Sequence, residues 1–512
     1  MAISVLSRAI GRAGEARNKG WGMGGAALTR IYAGVRWALS GFAGALIITV
    51  LPPGATPGQA ETMSSALARA YAGNPDLNQQ RAGVRATDEN LPRASSLGRP
   101  TAAATGQFGY NYLDLITSGT AGAGAAAAAT GGSGGSGGTQ LRKGIDTGSL
   151  GLTATQNLFN GNRTLNGVRQ AESNIFGARE SLRDTEQNVL LNGATAYMNV
   201  LRDTAILDLR KNNIIVLEEQ LRQTRDRFIV GEVTRTDVAQ AESSLATARS
   251  DYFTAQANLQ TSIATYRQII GVEPTRLEPA RTIESLLPHS LGSAIELAIA
   301  EHPEIQAALH AADAAALQVK LVEGELAPTV DLVGNVQQNY NFTGFPGLRL
   351  FNGSILGKVS VPIYEGGEVY SRVRQAKETL GQTRLQADLQ RDIVRAEVVT
   401  AWGQLDSARA VIQSSKAAVK SAEIALDGIR QEAEVGQRTT FDILFQQQVL
   451  LNARVSLVVA QRDRVVASYA VMAAIGRLAA ANLNLRVAQY DPTVHFDQVK
   501  DKWIGLRTPD GR

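Results

Sequence analysis

The chain matches itself. Val168-Arg169-Gln170-Ala171 returns as Val373-Arg374-Gln375-Ala376, Val230-Gly231 as Val435-Gly436, Asp237 as Asp442 and Gly271 as Gly476, each pair 205 residues apart. Upstream, Ala66, Asn74-Pro75 and Leu77 match Ala294, His302-Pro303 and Ile305 at an offset of 228. The 23-residue difference requires an insertion in the first copy, and residues 118–140, almost wholly Gly, Ala, Ser and Thr, supply it. One structural unit is therefore used twice. The organisation expected is a leader over 1–60, a first repeat over 61–271, a linker over 272–290, a second repeat over 291–478 and a tail over 479–512.

Each copy has the same order of elements. A helix over 75–97 or 303–327 starts at a proline, whose missing N–H does no harm in a first turn. Two strand-like segments follow, then a very long helix over 165–229 or 370–434, a tight turn and a shorter helix. At 1.5 Å per residue each long helix reaches roughly 100 Å. Val238, Leu245, Tyr252, Leu259 and Tyr266 recur every seven residues, interleaved with Ala241, Ala248, Ala255, Ser262 and Ile269. Ile443, Leu450, Leu457 and Val471, with Ala453, Ala460, Ala467 and Ala474, repeat the scheme. Large and small residues alternating in heptads let helix backbones approach closely. By this pattern alone an ordinary coiled coil remains open.

The strands argue otherwise. Leu150, Leu152, Ala154 and Leu158 share one face against Ser149, Thr153, Thr155 and Asn157, and Val359, Val361 and Ile363 alternate with Lys358 and Ser360. Val330, Leu332, Gly334 and Val336 alternate likewise, and residues 102–116, with Phe108, Tyr110 and Tyr112, read as a fourth strand. This two-residue period is that of membrane-barrel strands. Four strands cannot close a barrel, so several chains must pool theirs to leave no edge open to lipid.

Composition narrows the choice further. The chain of 512 residues has no cysteine, which excludes disulfides, thiolate metal sites and lipid attachment to an N-terminal cysteine. The net charge of +4 sits in the first sixty residues, which carry +5 and leave −1 for the rest, so no basic field for nucleic acid survives there. A basic stretch to Arg36, an apolar run over 38–51 and Gly58-Gln59-Ala60 before Glu61 read as a signal peptide. Beyond it we find no apolar run near the ~18 residues a spanning helix needs. His289, His302, His310 and His495 are scattered without metal-ligand spacing, and there is no GxxxxGK[ST] phosphate loop. No cofactor, metal or catalytic residue is expected. The glycine run over 131–138 reads as a flexible loop, which strand order puts on the cell surface, and the tail carries Asp491-Pro492 and Trp503 without a period.

Taken together, these features resemble the TolC family. Ala66-Leu67-Ala68-Arg69-Ala70 with Asn74-Pro75-Asp76-Leu77, and their copies over 294–305, resemble the opening of each TolC-type repeat. Val361-Pro362-Ile363-Tyr364-Glu365-Gly366-Gly367 resembles its strand-to-helix junction, and Asn157-Leu158-Phe159-Asn160-Gly161 a looser version without the proline. Arg227-Phe228-Ile229-Val230-Gly231 through Asp237-Val238, and Val435-Gly436 through Asp442-Ile443, resemble its helical hairpin tips. The resemblance implies a mostly α chain with membrane β. Antiparallel helical hairpins would form an α-barrel tunnel, and four strands per chain a trimeric twelve-stranded β-barrel in a Gram-negative outer membrane. It implies a passive conduit for multidrug efflux or type I secretion, docked on a periplasmic adaptor and an inner-membrane transporter of ABC, RND or MFS type. The alternatives are a periplasmic coiled-coil adaptor, which should show one hairpin and a lipoyl-like domain, and a secreted coiled coil without strands.

The tips carry the candidate site. Gly231 and Gly436 end helices where positive φ is needed, and Thr234-x-x-Asp237 and Thr439-x-x-Asp442 read as capping boxes with Asp in place of Glu. The resemblance adds a periplasmic gate and adaptor contact made of Gly231, Thr234, Asp237, Gly436, Arg438, Thr439, Asp442 and Phe445. Arg438 and Asp237 stand where the family links neighbouring hairpins, and Asp442 where it has an inward acid. Ala433 replaces the family's tyrosine and Phe445 its second acid, which implies a looser, partly apolar gate. Gly161, Pro362 and Gly366 are the junction residues.

Overall fold

The computed structural model describes residues 61–117, 139–341 and 347–511. The expected leader and residues 118–138 of the glycine-rich segment lie outside the described residues.

The first copy opens with three short helices, one unanticipated and two in place of the single helix expected over 75–97. Helix α1 (Met63–Gly73) is capped by Thr62, whose hydroxyl accepts from the Ser65 N–H. Asn74 then closes α1 and opens α2 (Pro75–Asp88): its N–H donates to Ala70 O, and its side-chain oxygen accepts from Asp76 and Leu77 N–H. The helix expected to run on through residue 97 breaks at Glu89, and α3 (Asn90–Ser95) follows as a separate piece. Pro92 supplies the reason, having no N–H for the Asp88 carbonyl four residues earlier. Strands β1 (Thr101–Thr117) and β2 (Thr139–Asn160) form a hairpin, and then come α4 (Arg163–Ile229), of 67 residues, and α5 (Arg235–Ile270).

The second copy repeats the order. Helix α6 (Leu291–Glu301), which like α1 periodicity does not anticipate, meets α7 (Pro303–Glu323) at His302. His302 does the work of Asn74: its N–H donates to Ala298 O and its Nδ1 accepts from the Glu304 N–H. Strands β3 (Thr329–Tyr340) and β4 (Arg349–Ser360) lead to α8 (Glu368–Glu434), again of 67 residues, and α9 (Thr440–Ala474).

The short helices of both copies pack with the middle of α4 and α8 to make the main core, in which Leu67, Leu77, Leu190, Tyr197, Tyr266, Ile305 and Leu405 are essentially inaccessible. Between the copies, Glu284 accepts hydrogen bonds from Arg409 of α8 and Arg464 of α9, which hold its carboxyl below the usual range. Helix α9 corrects one expectation. By length and composition it is apolar enough to cross a membrane, yet Leu450, Leu451, Ala460, Val465, Val471 and Met472 are buried against its neighbours.

The four strands form one antiparallel sheet in the order β1-β2-β3-β4. Pairing of β2 with β3 ends at Gly148↔Tyr340, whereas β1 and β2 go on for nine more pairs, from Gly109↔Thr147 to Thr117↔Thr139. The extra length of the first copy is thus partly strand and not only loop. The tail contains α10 (Pro492–Val499), with Asp491 as cap and Pro492 in the first turn.

Candidate functional site: sheet faces and hairpin tips

The sheet register sorts the side chains cleanly. Phe108, Tyr110 and Tyr112 of β1, Leu150 and Leu152 of β2, Leu332 and Val336 of β3, and Phe351, Ile355 and Val359 of β4 fall on one face, all more than a third exposed. The other face is mainly polar, with Leu350 and Leu356 of β4 as exposed exceptions, and is bonded across strands: Asn111 Nδ2 donates to Thr147 Oγ1 (2.9 Å), Thr153 Oγ1 to Asn335 Oδ1 (3.3 Å) and Asn157 Nδ2 to Asp331 Oδ1 (2.7 Å). Large apolar groups face outward on a sheet that the described residues leave uncovered, which is the arrangement of a wall between lipid and water. Phe108 and Tyr110 lie over Gly148 and Gly144, where a Cβ would meet the Phe108 ring at 3.1 Å and the Tyr110 hydroxyl at 1.6 Å.

Below the sheet, each junction turns the chain by two successive left-handed residues, Gly161-Asn162 (φ 67° and 61°) and Gly366-Gly367 (φ 65° and 85°). Gly161 packs so tightly that a Cβ would lie 2.3 Å from Gly324 O, while at Gly366 it would meet open space. Pro362 lies just past the end of β4, where its lack of an N–H costs no ladder bond. Asn162 and Gly367 belong to these junctions as fully as the residues singled out from sequence. Their only signal is position, one residue past each aligned glycine.

The tips are built alike. Gly231 and Gly436 both have φ 82°, and each closes a Schellman motif: Gly231 N–H donates to Phe228 O and Glu232 N–H to Arg227 O, Gly436 N–H to Ala433 O and Gln437 N–H to Glu432 O. Both capping boxes are present. Asp237 accepts from the Thr234 N–H (2.8 Å) and Asp442 from the Thr439 N–H (2.9 Å), each with the reciprocal bond to the threonine hydroxyl (3.3 Å). These bonds hold the Asp442 carboxyl below its ordinary range.

The charges differ between the tips. Arg227 pairs with Glu232 at 2.8 Å in the first, whereas Arg438 pairs with Glu432 at 2.8 Å in the second. Glu432 aligns with Arg227, which reverses the charge at that position, while Glu232 aligns with the neutral Gln437 and Arg438 with Val233. Within the chain Arg438 is thus engaged by Glu432, which raises its pKa. Phe445 stacks on Phe441 (centroids 6.3 Å apart), and both are more than half exposed. Leu444, between them in sequence, joins Leu217, Leu221, Ala241 and Leu245 of the first hairpin and so locks the two hairpins together.

The family described as outer membrane efflux protein matches residues 66–272 and 294–477. The chain is 42% identical over 452 residues to the outer membrane efflux protein BepC of Brucella suis, covering 88% of this chain and 93% of that one. It is 28% identical over 377 residues to the outer membrane protein TolC of Escherichia coli, covering 64% and 74%. Among solved structures, the Campylobacter jejuni CmeC outer membrane channel superposes with a TM-score of 0.70 at 16% identity, covering 86% of this chain and 89% of that one.

Proposed function

The chain belongs to the outer membrane efflux protein family, and from that premise we propose that three copies close one pore through which cargo leaves the cell. It is an outer-membrane channel protein of a Gram-negative envelope and extends into the periplasm. The observation that carries the proposal is the sheet. It is apolar on one face and mainly polar on the other, and among the described residues β1 and β4 each have one pairing neighbour. An unpaired strand edge in lipid leaves polar backbone groups unsatisfied, at several kcal/mol each. Joining β1 of one copy to β4 of the next satisfies them, and three copies give twelve strands. The two 67-residue helices of each copy, ~100 Å long, carry the pore across the periplasm.

The channel is passive, and a periplasmic adaptor and an inner-membrane transporter of ABC, RND or MFS type supply selection and energy. The adaptor reading of the chain itself is not supported by its relatives. The tips form the gate and adaptor contact, with Arg438 exchanging Glu432 for Asp237 of a neighbouring hairpin. Phe441 and Phe445 make the constriction partly apolar, so that it closes by excluding water. Outer-membrane fractionation with electrophoresis of unheated samples tests the assembly: a heat-sensitive trimer is expected, and a soluble monomer overturns it. For the gate, Phe445→Asp should raise single-channel conductance and cation selectivity, and Arg438→Ala should raise conductance and weaken adaptor crosslinking. Unchanged conductance in both variants removes these residues from the gate.

A further inference from the structure

Neither repeat accounts for the tail, yet it is tightly held. Tyr490 N–H donates to the Tyr71 hydroxyl, and Arg81 lies between the Tyr71 and Tyr490 rings at 4.5 Å and 5.3 Å. Further along, His495 Nδ1 is 2.9 Å from the buried Asp88 carboxylate, and Arg179 lies 5.0 Å from the Phe496 ring. Then Arg99 Nη1 donates to Lys502 O at 2.8 Å and places its guanidinium 4.6 Å from the Trp503 ring. From Tyr71 through Asp88 to Arg99 the tail follows α1, α2 and α3 toward the sheet. It then turns back, since Asp510 reaches Arg85 at 3.6 Å. The turn passes through Gly505 (φ 134°), so residues 503–506 form the apex. That apex sits beside Arg99, two residues before the first residue of β1.

The apex is apolar and unpacked. Trp503 is 65% exposed, Ile504 91% and Leu506 104%, at the end of a segment whose other contacts are well formed. Leu97 and Leu158, at the same end of the sheet, are each 62% exposed, so exposed apolar side chains gather at this end of the sheet. Lys502 and Arg507 border it directly, while Lys500, further back, pairs with Asp497 at 2.9 Å. A tryptophan and two aliphatic residues bordered by cations suit the boundary between acyl chains and anionic headgroups.

We propose that residues 503–506 are a membrane-interface anchor, seating each copy in the periplasmic leaflet of the outer membrane through contact with phospholipid. This rests on the outer-membrane placement of the sheet. The chain has no cysteine to acylate, and the anchor supplies at the carboxyl end what a lipidated amino terminus would otherwise supply. It fixes the level at which the helical tunnel meets the bilayer.

The test is fluorescence of the full-length channel in nanodiscs of phosphatidylethanolamine and phosphatidylglycerol. Subtracting the Trp503→Phe variant from the parent isolates Trp503 emission. Brominated acyl chains should quench that emission, and aqueous iodide should quench it several-fold less than free tryptophan. Ile504→Asp with Leu506→Asp should shift it to the red and abolish bromine quenching, with helix content unchanged. Emission open to iodide and untouched by bromine overturns the anchor in favour of solvent. Protection from both quenchers overturns it in favour of a protein cover. Single-channel conductance of the same preparation keeps the readings apart: a conducting channel with Trp503 outside lipid loses only the anchor.

Discussion

At the scale of single residues, equivalent positions solve the same problem with different chemistry. Asn74 and His302 are both helix joints, yet only the histidine titrates. Burial, with Arg183 nearby, pushes the His302 pKa down from 6.5 to about 4. The unfolded chain therefore takes up a proton that the folded chain refuses. The stabilisation is complete above pH 6.5 and is lost progressively as pH falls toward about 4. His302→Asn, which copies the first repeat, should keep the cap and flatten this dependence, read as the drop in Tm between pH 7.5 and 5.5. At the second tip, bonds from the Thr439 N–H and hydroxyl depress the Asp442 pKa below 3.8, so its cap is intact above that value and fails as pH falls below it. Thr439→Ala should speed amide exchange in the first turn of α9, leaving the middle of α9 as slow as before; no change there removes the cap from the hairpin's stability. Both capping boxes were legible in sequence because a cap is a local pattern. The partner of Arg438 was not, because Glu432 meets it only through the curl of the Schellman turn.

Among the elements, legibility followed periodicity. The long helices and the hairpin turns repeat regularly and are legible to within a few residues; the strands are legible only in part, since Val361 and Ile363, read as strand, fall past the end of β4, and β2 begins ten residues before Ser149. The short helices α1 and α6 escaped because eleven residues give too few turns for a period to stand out. The first ten residues of β2, 139–148, escape because their apolar residues, Leu141 and Ile145, are too sparse for an alternation to stand out. The aligned glycines of the two junctions looked interchangeable in sequence, and packing separates them. At Gly366 a side chain finds space, so Gly366→Ala should cost about 1–2 kcal/mol for the left-handed backbone alone. At Gly161 the same change also drives a Cβ into Gly324 O. Gly161→Ala should therefore lower the yield and melting temperature of the assembled protein clearly more than Gly366→Ala; equal effects would mean that the junction relaxes.

For the whole molecule, the absence of cysteine makes topology directly measurable, since any single introduced thiol is unique. Asn111→Cys, on the polar face of the β1–β2 hairpin beyond the reach of β3, should react with a membrane-impermeant maleimide in intact cells. Gln437→Cys, at the second tip, should react only after the outer membrane is permeabilised, and the opposite pattern would invert the proposed orientation. The two copies also differ in what they were free to change. Their strands are 17 and 22 residues long in one and 12 in the other, yet both long helices have 67. If the tips dock as proposed, they resemble the staves of a cask, trimmed flush at the end that seats on another part and left uneven at the rim. An added or lost turn in one long helix would tilt that seat unless its twin changed by the same amount, so length drift in this half of the protein has to come in matched pairs.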